Sequence, residues 1–264
     1  MERSELIKKL RGGLFVSAMM GIIDGKTAAR IGTHAAMIQL GAIIKEELDH
    51  ITHDPRFCLP GEEDEYTQLL RAELAPIREA LGAVPVAWNT AAGDVESAVR
   101  FANAAESAGA DLYELNFNGG YGKLIKRSII RAMVLRQNRG TLLDWIQQVV
   151  DRSSIPVVAK FYTGMHGVDF AEAAEQLSGI GLFGIHLNVR SLTEMAPNVE
   201  VVLNVRPRFD GMLFCSGRVA TSEHVNALFA AGADCVGVAK GLVDDAYLIS
   251  KLALRVQAEG QLQE

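Results

Sequence analysis

Cysteine is scarce, with three in 264 residues at Cys58, Cys215 and Cys235. None stands in a C-x-x-C pair or at zinc-finger spacing, so the chain carries no cysteine metal motif, iron–sulfur cluster or disulfide framework. Cys215 and Cys235 sit inside apolar runs and are expected as small buried hydrophobes. The apolar runs are themselves short. None reaches the ~18 residues of a membrane helix, and the opening MERSELIKKLRGG is too charged for a signal peptide. A soluble protein of a reducing cytoplasm is the expectation, with no membrane partner. An excess of positive charge is also missing: 26 Lys and Arg face 32 Asp and Glu, a net charge of −6. That balance weighs against broad contact with a nucleic-acid backbone. Lys123, Lys126, Arg127, Arg131, Arg136 and Arg139 do cluster locally, as a solvated helix face or as an anion patch.

Against these absences stands a regular alternation of short apolar segments with helix-length ones. Strands are expected at Leu14–Ala18, Ala36–Leu40, Pro85–Asn89, Leu112–Asn116, Pro156–Phe161, Gly184–Leu187, Met212–Cys215 and Cys235–Val238. Asp24, Asp94 and Asp169 are placed to cap helices. Further helices are expected over Tyr66–Leu81, from the Asn118-Gly119-Gly120 turn to about Arg152, from Ser191 and over Asp244–Gln257. Eight β/α units with no segment left over predict an α/β fold, a single (β/α)8 TIM barrel over residues 1–264. The connection at about 41–65 is long and acidic, which suits a lid or binding loop.

In such a barrel the chemistry lies at the C-terminal ends of the strands. Those ends hold Ala18, Met19, Gln39, Asn89, Asn116, Lys160, His186, Ser216-Gly217-Arg218 and Ala239-Lys240-Gly241. Polar residues at an apolar mouth require polar partners, which a ligand can supply. Lys160 follows the apolar Val157-Val158-Ala159 and requires an anion, as Schiff-base lysine, phosphate ligand or donor to an electron-rich ring; an internal pair with Glu114 is the plainer alternative. The last two strand ends each carry glycine and one cation, Arg218 and Lys240. Together they suit one dianionic phosphate.

Ser17-Ala18-Met19-Met20-Gly21-Ile22-Ile23-Asp24 resembles the opening motif of tRNA-dihydrouridine synthases, with Ala18 in place of a proline. Glu114-Leu115-Asn116 with Asn118-Gly119-Gly120 is similar to their strand-four segment and to that of dihydroorotate dehydrogenases. Val158-Ala159-Lys160, the stretch from Ile185 to Arg190, Ser216-Gly217-Arg218 and Gly237-Val238-Ala239-Lys240-Gly241 follow in family order. The resemblance spans roughly residues 14–245 and implies FMN. Ala18 and Met19 would lie against the ring system, Asn89 would bond its pyrimidine edge and Lys160 would stand at its N1/O2 side. His186 would touch the flavin or its ribityl chain, and the two glycine turns would hold the phosphate.

The departures shape the functional reading. The synthases' proton-donating cysteine is absent from the Asn118-Gly119-Gly120 turn, and their helical RNA-binding domain is not expected after this barrel. With the acidic balance, these features point away from tRNA and towards a small-molecule substrate, heterocycles included, whose C–C bond is oxidised or reduced. NAD(P)H or a partner flavoprotein would be the electron donor. Tyr121 is the first candidate proton donor and Cys58 the second. His50 and His53 have an i, i+3 spacing with no third metal ligand, and His166 lies in the strand-five loop. A tRNA-dihydrouridine synthase, a lysine-dependent lyase or aldolase and a non-catalytic ligand-binding barrel stay open as alternatives, as does a homo-oligomer.

Overall fold

The structure, a computed structural model, describes residues 2–44, 62–120 and 125–261. Eight strands pair in parallel and in chain order: β1 (Gly13–Val16), β2 (Met37–Ile44), β3 (Val86–Ala91), β4 (Leu112–Asn116), β5 (Val157–Tyr162), β6 (Gly184–Asn188), β7 (Met212–Ser216) and β8 (Cys235–Val238). β8 returns to pair with β1, Gly13 opposite Cys235 and Val16 opposite Val238, and closes the barrel. The expected α/β barrel is therefore the observed one.

Ten α-helices are described: α1 (Arg3–Leu10), α2 (Gly25–Ile31), α3 (Glu63–Leu81), α4 (Val95–Ala108), α5 (Arg139–Asp151), α6 (Phe170–Ser178), α7 (Val199–Val205), α8 (Ser222–Ala230), α9 (Gly241–Asp244) and α10 (Leu248–Gln261). Local chemistry starts several of them. Asp24 accepts from Thr27 N at 2.8 Å, Asp94 from Ser97 N at 2.7 Å and Asp169 from Ala171 N at 2.9 Å, satisfying first-turn N–H groups that have no helical partner. Gly109 ends α4 at φ +91°, where a Cβ would be strained. Among the described residues no helix is long and apolar enough to cross a membrane.

Some boundaries differ from expectation for identifiable reasons. β3 runs two residues past Asn89 and β5 one past Phe161; on the outer face of β3 and β4, Thr90 Oγ1 and Tyr113 OH lie 2.8 Å apart. β1 ends at Val16, two residues short of Ala18, and β2 runs on to Ile44. The helix expected from Ser191 begins only at Val199. Residues 190–197 instead fold back on themselves, with Arg190 bridged to Pro197 and Asn198 N donating to Val189 O at 2.6 Å. Between β4 and β5 the α-helix is confined to Arg139–Asp151, after 3-10 turns at Ile130–Val134 and Arg136–Asn138. The closing helix starts at Leu248 instead of Asp244. Most of the long 41–65 connection lies outside the described residues.

α1 was not foreseen. Its Leu6 and Leu10 are fully buried against Phe15, Met37, Leu112, Val158, Met212 and Phe214, which fill the N-terminal end of the barrel. This apolar floor leaves the opposite mouth as the place where polar side chains converge.

Candidate active site

Alternation along the strands decides what faces the barrel axis. Leu112, Val158 and Met212 belong to the apolar floor. Two residues further along the same strands come Glu114, Lys160 and Phe214, and two further again Asn116, Tyr162 and Ser216. His186 on β6 stands opposite both Lys160 and Phe214 in register. The apolar floor thus passes into a polar upper layer.

Glu114 is the hub of that layer. Its Oε2 accepts from Gln39 Nε2 at 2.7 Å and lies 2.8 Å from His186 Nδ1. Its Oε1 accepts from Asn89 Nδ2 and faces Lys160 Nζ at 3.4 Å. Three hydrogen-bond partners and one ammonium surround the carboxylate, which offsets the cost of burying it. Burial alone would push the Glu114 carboxyl upward, but the Lys160 charge, with His186 and Asn89 as hydrogen-bond partners, outweighs it and holds the value down at about 2. His186 moves down to about 4, chiefly through burial and then through repulsion from Lys160, against the pull of Glu114. At neutral pH the ring is therefore uncharged. Nδ1–H donates to Glu114, and Nε2 accepts from Ser216 Oγ at 2.8 Å. Phe15 packs edge-on against the ring at 5.3 Å between centroids.

The other strand-end residues extend this array. Gln39 Oε1 accepts from Ala18 N at 3.3 Å and from Ser17 Oγ at 3.4 Å, tying the β1 end to the β2 end. Asn116 Nδ2 donates to Asn89 Oδ1 at 3.0 Å, and its own Oδ1 accepts from Asn118 N at 3.0 Å. Met19 lines a cleft of about 330 Å³ with Ile22, Thr27, Arg30, Leu242 and Val243, between α2 and the end of β8. The structure therefore brings Ala18, Gln39, Asn89, Asn116, Lys160, His186 and Ser216 together, and it realises the alternative pairing of Lys160 with Glu114.

The two glycine turns are neighbours, since Ser216 pairs with Gly237. Gly217 has φ +114°, and a Cβ there would fall 2.5 Å from Asn188 Oδ1 and 2.6 Å from Arg190 N. The glycine thus lets the β7 turn pack against the end of β6, a role the phosphate argument did not include. Arg218 turns its guanidinium to the Glu194 carbonyl, and Lys240 is exposed ahead of α9. Gly241 leaves room for Leu248. Asn188 Oδ1, beside the β7 turn, and Ser222 Oγ, at the start of α8, are buried without a hydrogen-bond partner. Such groups fit a bound polar ligand. Lys160, amides and two adjacent turns form a donor set that suits FMN, with an amide-rich ring at one end and a phosphate at the other.

Cys58, Tyr121, Lys123, His50 and His53 lie outside the described residues. Cys215 and Cys235 are buried, and burial pushes both thiols well up. His166 is exposed in a turn after β5. The basic cluster does not form one face. Arg139 is buried and pairs with Glu172 at 3.0 Å, Lys126 and Arg127 are exposed, and Arg131 folds in against Asn118 O and the Tyr162 ring. Glu114 belongs to the site, although the sequence offers it only as a possible partner of Lys160 and as part of the Glu114-Leu115-Asn116 segment, not as a site residue. A lone carboxylate inside Leu-Tyr-Glu-Leu-Asn was the available signal. Tyr162 gives none beyond its position next to a strand end, and Arg190 only its place at the close of the Ile185–Arg190 stretch.

No family model matches the sequence, and no curated protein does. Among solved structures the chain is similar to TcOYE with pHBA, at 13% identity and TM-score 0.69 over 95% of this chain and 90% of that one. It is also similar to morphinone reductase in complex with tetrahydroNAD, at 14% identity and TM-score 0.63 over 94% and 88%. DHODH in complex with ferulenol from Eimeria tenella gives 11% identity and TM-score 0.68 over 95% and 82%. At these identities the likeness establishes one thing, a shared barrel fold along nearly the whole chain.

Proposed function

We propose that this chain is an FMN-dependent oxidoreductase that oxidises or reduces a C–C bond of a small molecule. The observation that carries this reading is the buried Lys160–Glu114 pair among amides on one side of the barrel mouth, with two adjacent glycine turns after β7 and β8 on the same rim. The solved barrels named above are flavin-dependent oxidoreductases, and one of them is in complex with tetrahydroNAD. This supports NAD(P)H as electron donor, with a partner flavoprotein as the other candidate.

FMN, when bound, would supply the hydride chemistry. The protein's part is to hold and to tune. Glu114 fixes Lys160 so that a cation stands beneath the mouth, where it would favour an electron-rich bound ring. Asn116, oriented by Asn118 N, keeps one amide N–H and one oxygen lone pair for a heterocycle, while Gln39 braces Glu114 against the end of β1. Ser216, donating to His186, keeps oxygen lone pairs for a ligand hydroxyl. Phosphate would sit between the β7 and β8 turns, near Arg218 and Lys240. The pairing of Lys160 with Glu114 suits a fixed cation better than a Schiff-base nucleophile.

Absorbance of the purified protein, before and after added FMN and dithionite, tests the reading. A flavin spectrum that bleaches is expected. Lys160→Ala should keep the fold by circular dichroism and lose about a hundred-fold or more in reductase turnover with an artificial acceptor. Protein that is colourless and takes up no FMN would remove the assignment.

A further inference from the structure

Above Lys160 on the same face of β5, about 7 Å further along the strand, stands Tyr162. Two guanidinium groups lie against its ring: Arg131 at 4.5 Å and Arg190 at 4.6 Å from the centroid. Tyr162 itself is buried, and Gly164 makes room for its hydroxyl, since a Cβ there would lie 2.4 Å from it. The ring is therefore a fixed platform and not a mobile side chain. Each guanidinium lies against the ring as a cation–π contact, which holds its plane in place.

The two arginines differ. Arg131 has its Nε 3.0 Å from Asn118 O and is engaged by the β4 loop. Arg190 is exposed, and among the described residues no carboxylate pairs with it. Its backbone is fixed nonetheless. Arg190 bridges to Pro197, its flanking Val189 N donates to Ser216 O at 2.7 Å, and its own N packs against Gly217. A guanidinium that is stacked, anchored and open on its outer edge is pre-organised for bidentate binding of an oxyanion.

We infer that Arg190, backed by Tyr162 and Arg131, forms an oxyanion subsite at the barrel mouth that receives the acidic head group of the substrate. This rests on the proposed function for the word substrate, but not for the binding itself. It narrows the substrate class from small molecules in general to those carrying a carboxylate or a phosphate. The subsite adjoins the β7 turn through the Arg190 backbone, but its guanidinium stacks on Tyr162 at the end of β5.

Calorimetric titration of the protein as purified, loaded with FMN where it takes it up, tests the inference. Benzoate and phenyl phosphate serve as probes of the two head groups. Saturable binding of at least one is expected, and Arg190→Gln should weaken it by about tenfold or more, with Arg190→Lys intermediate. Lys26→Gln, which removes the same charge from an exposed site elsewhere, should leave it unchanged. Benzoate alone or phenyl phosphate alone binding through Arg190 identifies the head group. Binding of neither, or binding indifferent to Arg190→Gln, overturns the inference. Flavin content of the same samples is read separately. Yellow protein without anion binding sinks the subsite and spares the oxidoreductase, whereas colourless protein with Arg190-dependent binding does the reverse.

Discussion

Glu114 carries more of the site's order than any other single side chain. Replacing it by Gln would put an amide N–H among four donors and leave Lys160 buried without its counter-charge. Removing one partner of a buried pair costs about 3–5 kcal/mol, so Glu114→Gln should lower the urea midpoint markedly, and any retained flavin should be bound more weakly. His186 gives a pH signature. Its ordinary value is 6.5 and its folded value about 4. Above 6.5 neither state holds the extra proton and the contribution is complete. Between 6.5 and 4 the unfolded chain takes up a proton that the fold refuses, so stability falls with pH, by at most about 3 kcal/mol. His186→Gln should flatten the plot of unfolding free energy against pH in that window, and an unchanged slope would refute the buried neutral ring. Glu114 acts in the same direction at lower pH, between 4.5 and about 2.

At the scale of elements, the strands were legible where an apolar run met a polar stop, as at Leu112–Asn116 and Cys235–Val238, whose bounds agree between sequence and structure. Asp24, Asp94 and Asp169 announced helices by cap chemistry alone. Legibility failed where tertiary contacts decided. Residues 190–197 carry polar and proline residues compatible with a helix start, yet the bridge to Pro197 holds them as a turn. In α1, Leu6 and Leu10 follow at helical spacing, but flanking charges hid their burial until the open barrel floor supplied a partner. The site shows the same division. Lys160 and the amides were visible as polar residues at strand ends, whereas the hub role of Glu114 and the stacking of Arg190 on Tyr162 depend on neighbours distant in sequence. The floor yields a separate prediction. Leu10→Ala opens a cavity beneath Phe15 and should cost about 2–5 kcal/mol in chemical denaturation. Any flavin spectrum should stay unchanged, because the mouth lies at the other end.

For the molecule as a whole, a ligand spanning the mouth from Lys160 to the β7 and β8 turns would tie four or more strands together. If FMN binds only the folded barrel, adding it at about a hundred times its Kd contributes about 2.7 kcal/mol, or roughly 5–10 °C in Tm for a chain of this size. Differential scanning calorimetry with and without FMN reads this directly, and a Tm indifferent to FMN would speak against the cradle.

The seam where β8 meets β1 joins residues 222 apart, with Cys235 Sγ on Gly13 O. On the ribosome, β1 emerges early, and its partner follows only after about ten to forty seconds of synthesis. Throughout that interval the first strand presents one unpaired flank, an invitation to wrong pairing with neighbouring nascent chains. The seam's short register of four residue pairs limits the length of that flank, and the charged α1 just before it offers a shield until the final strand is made.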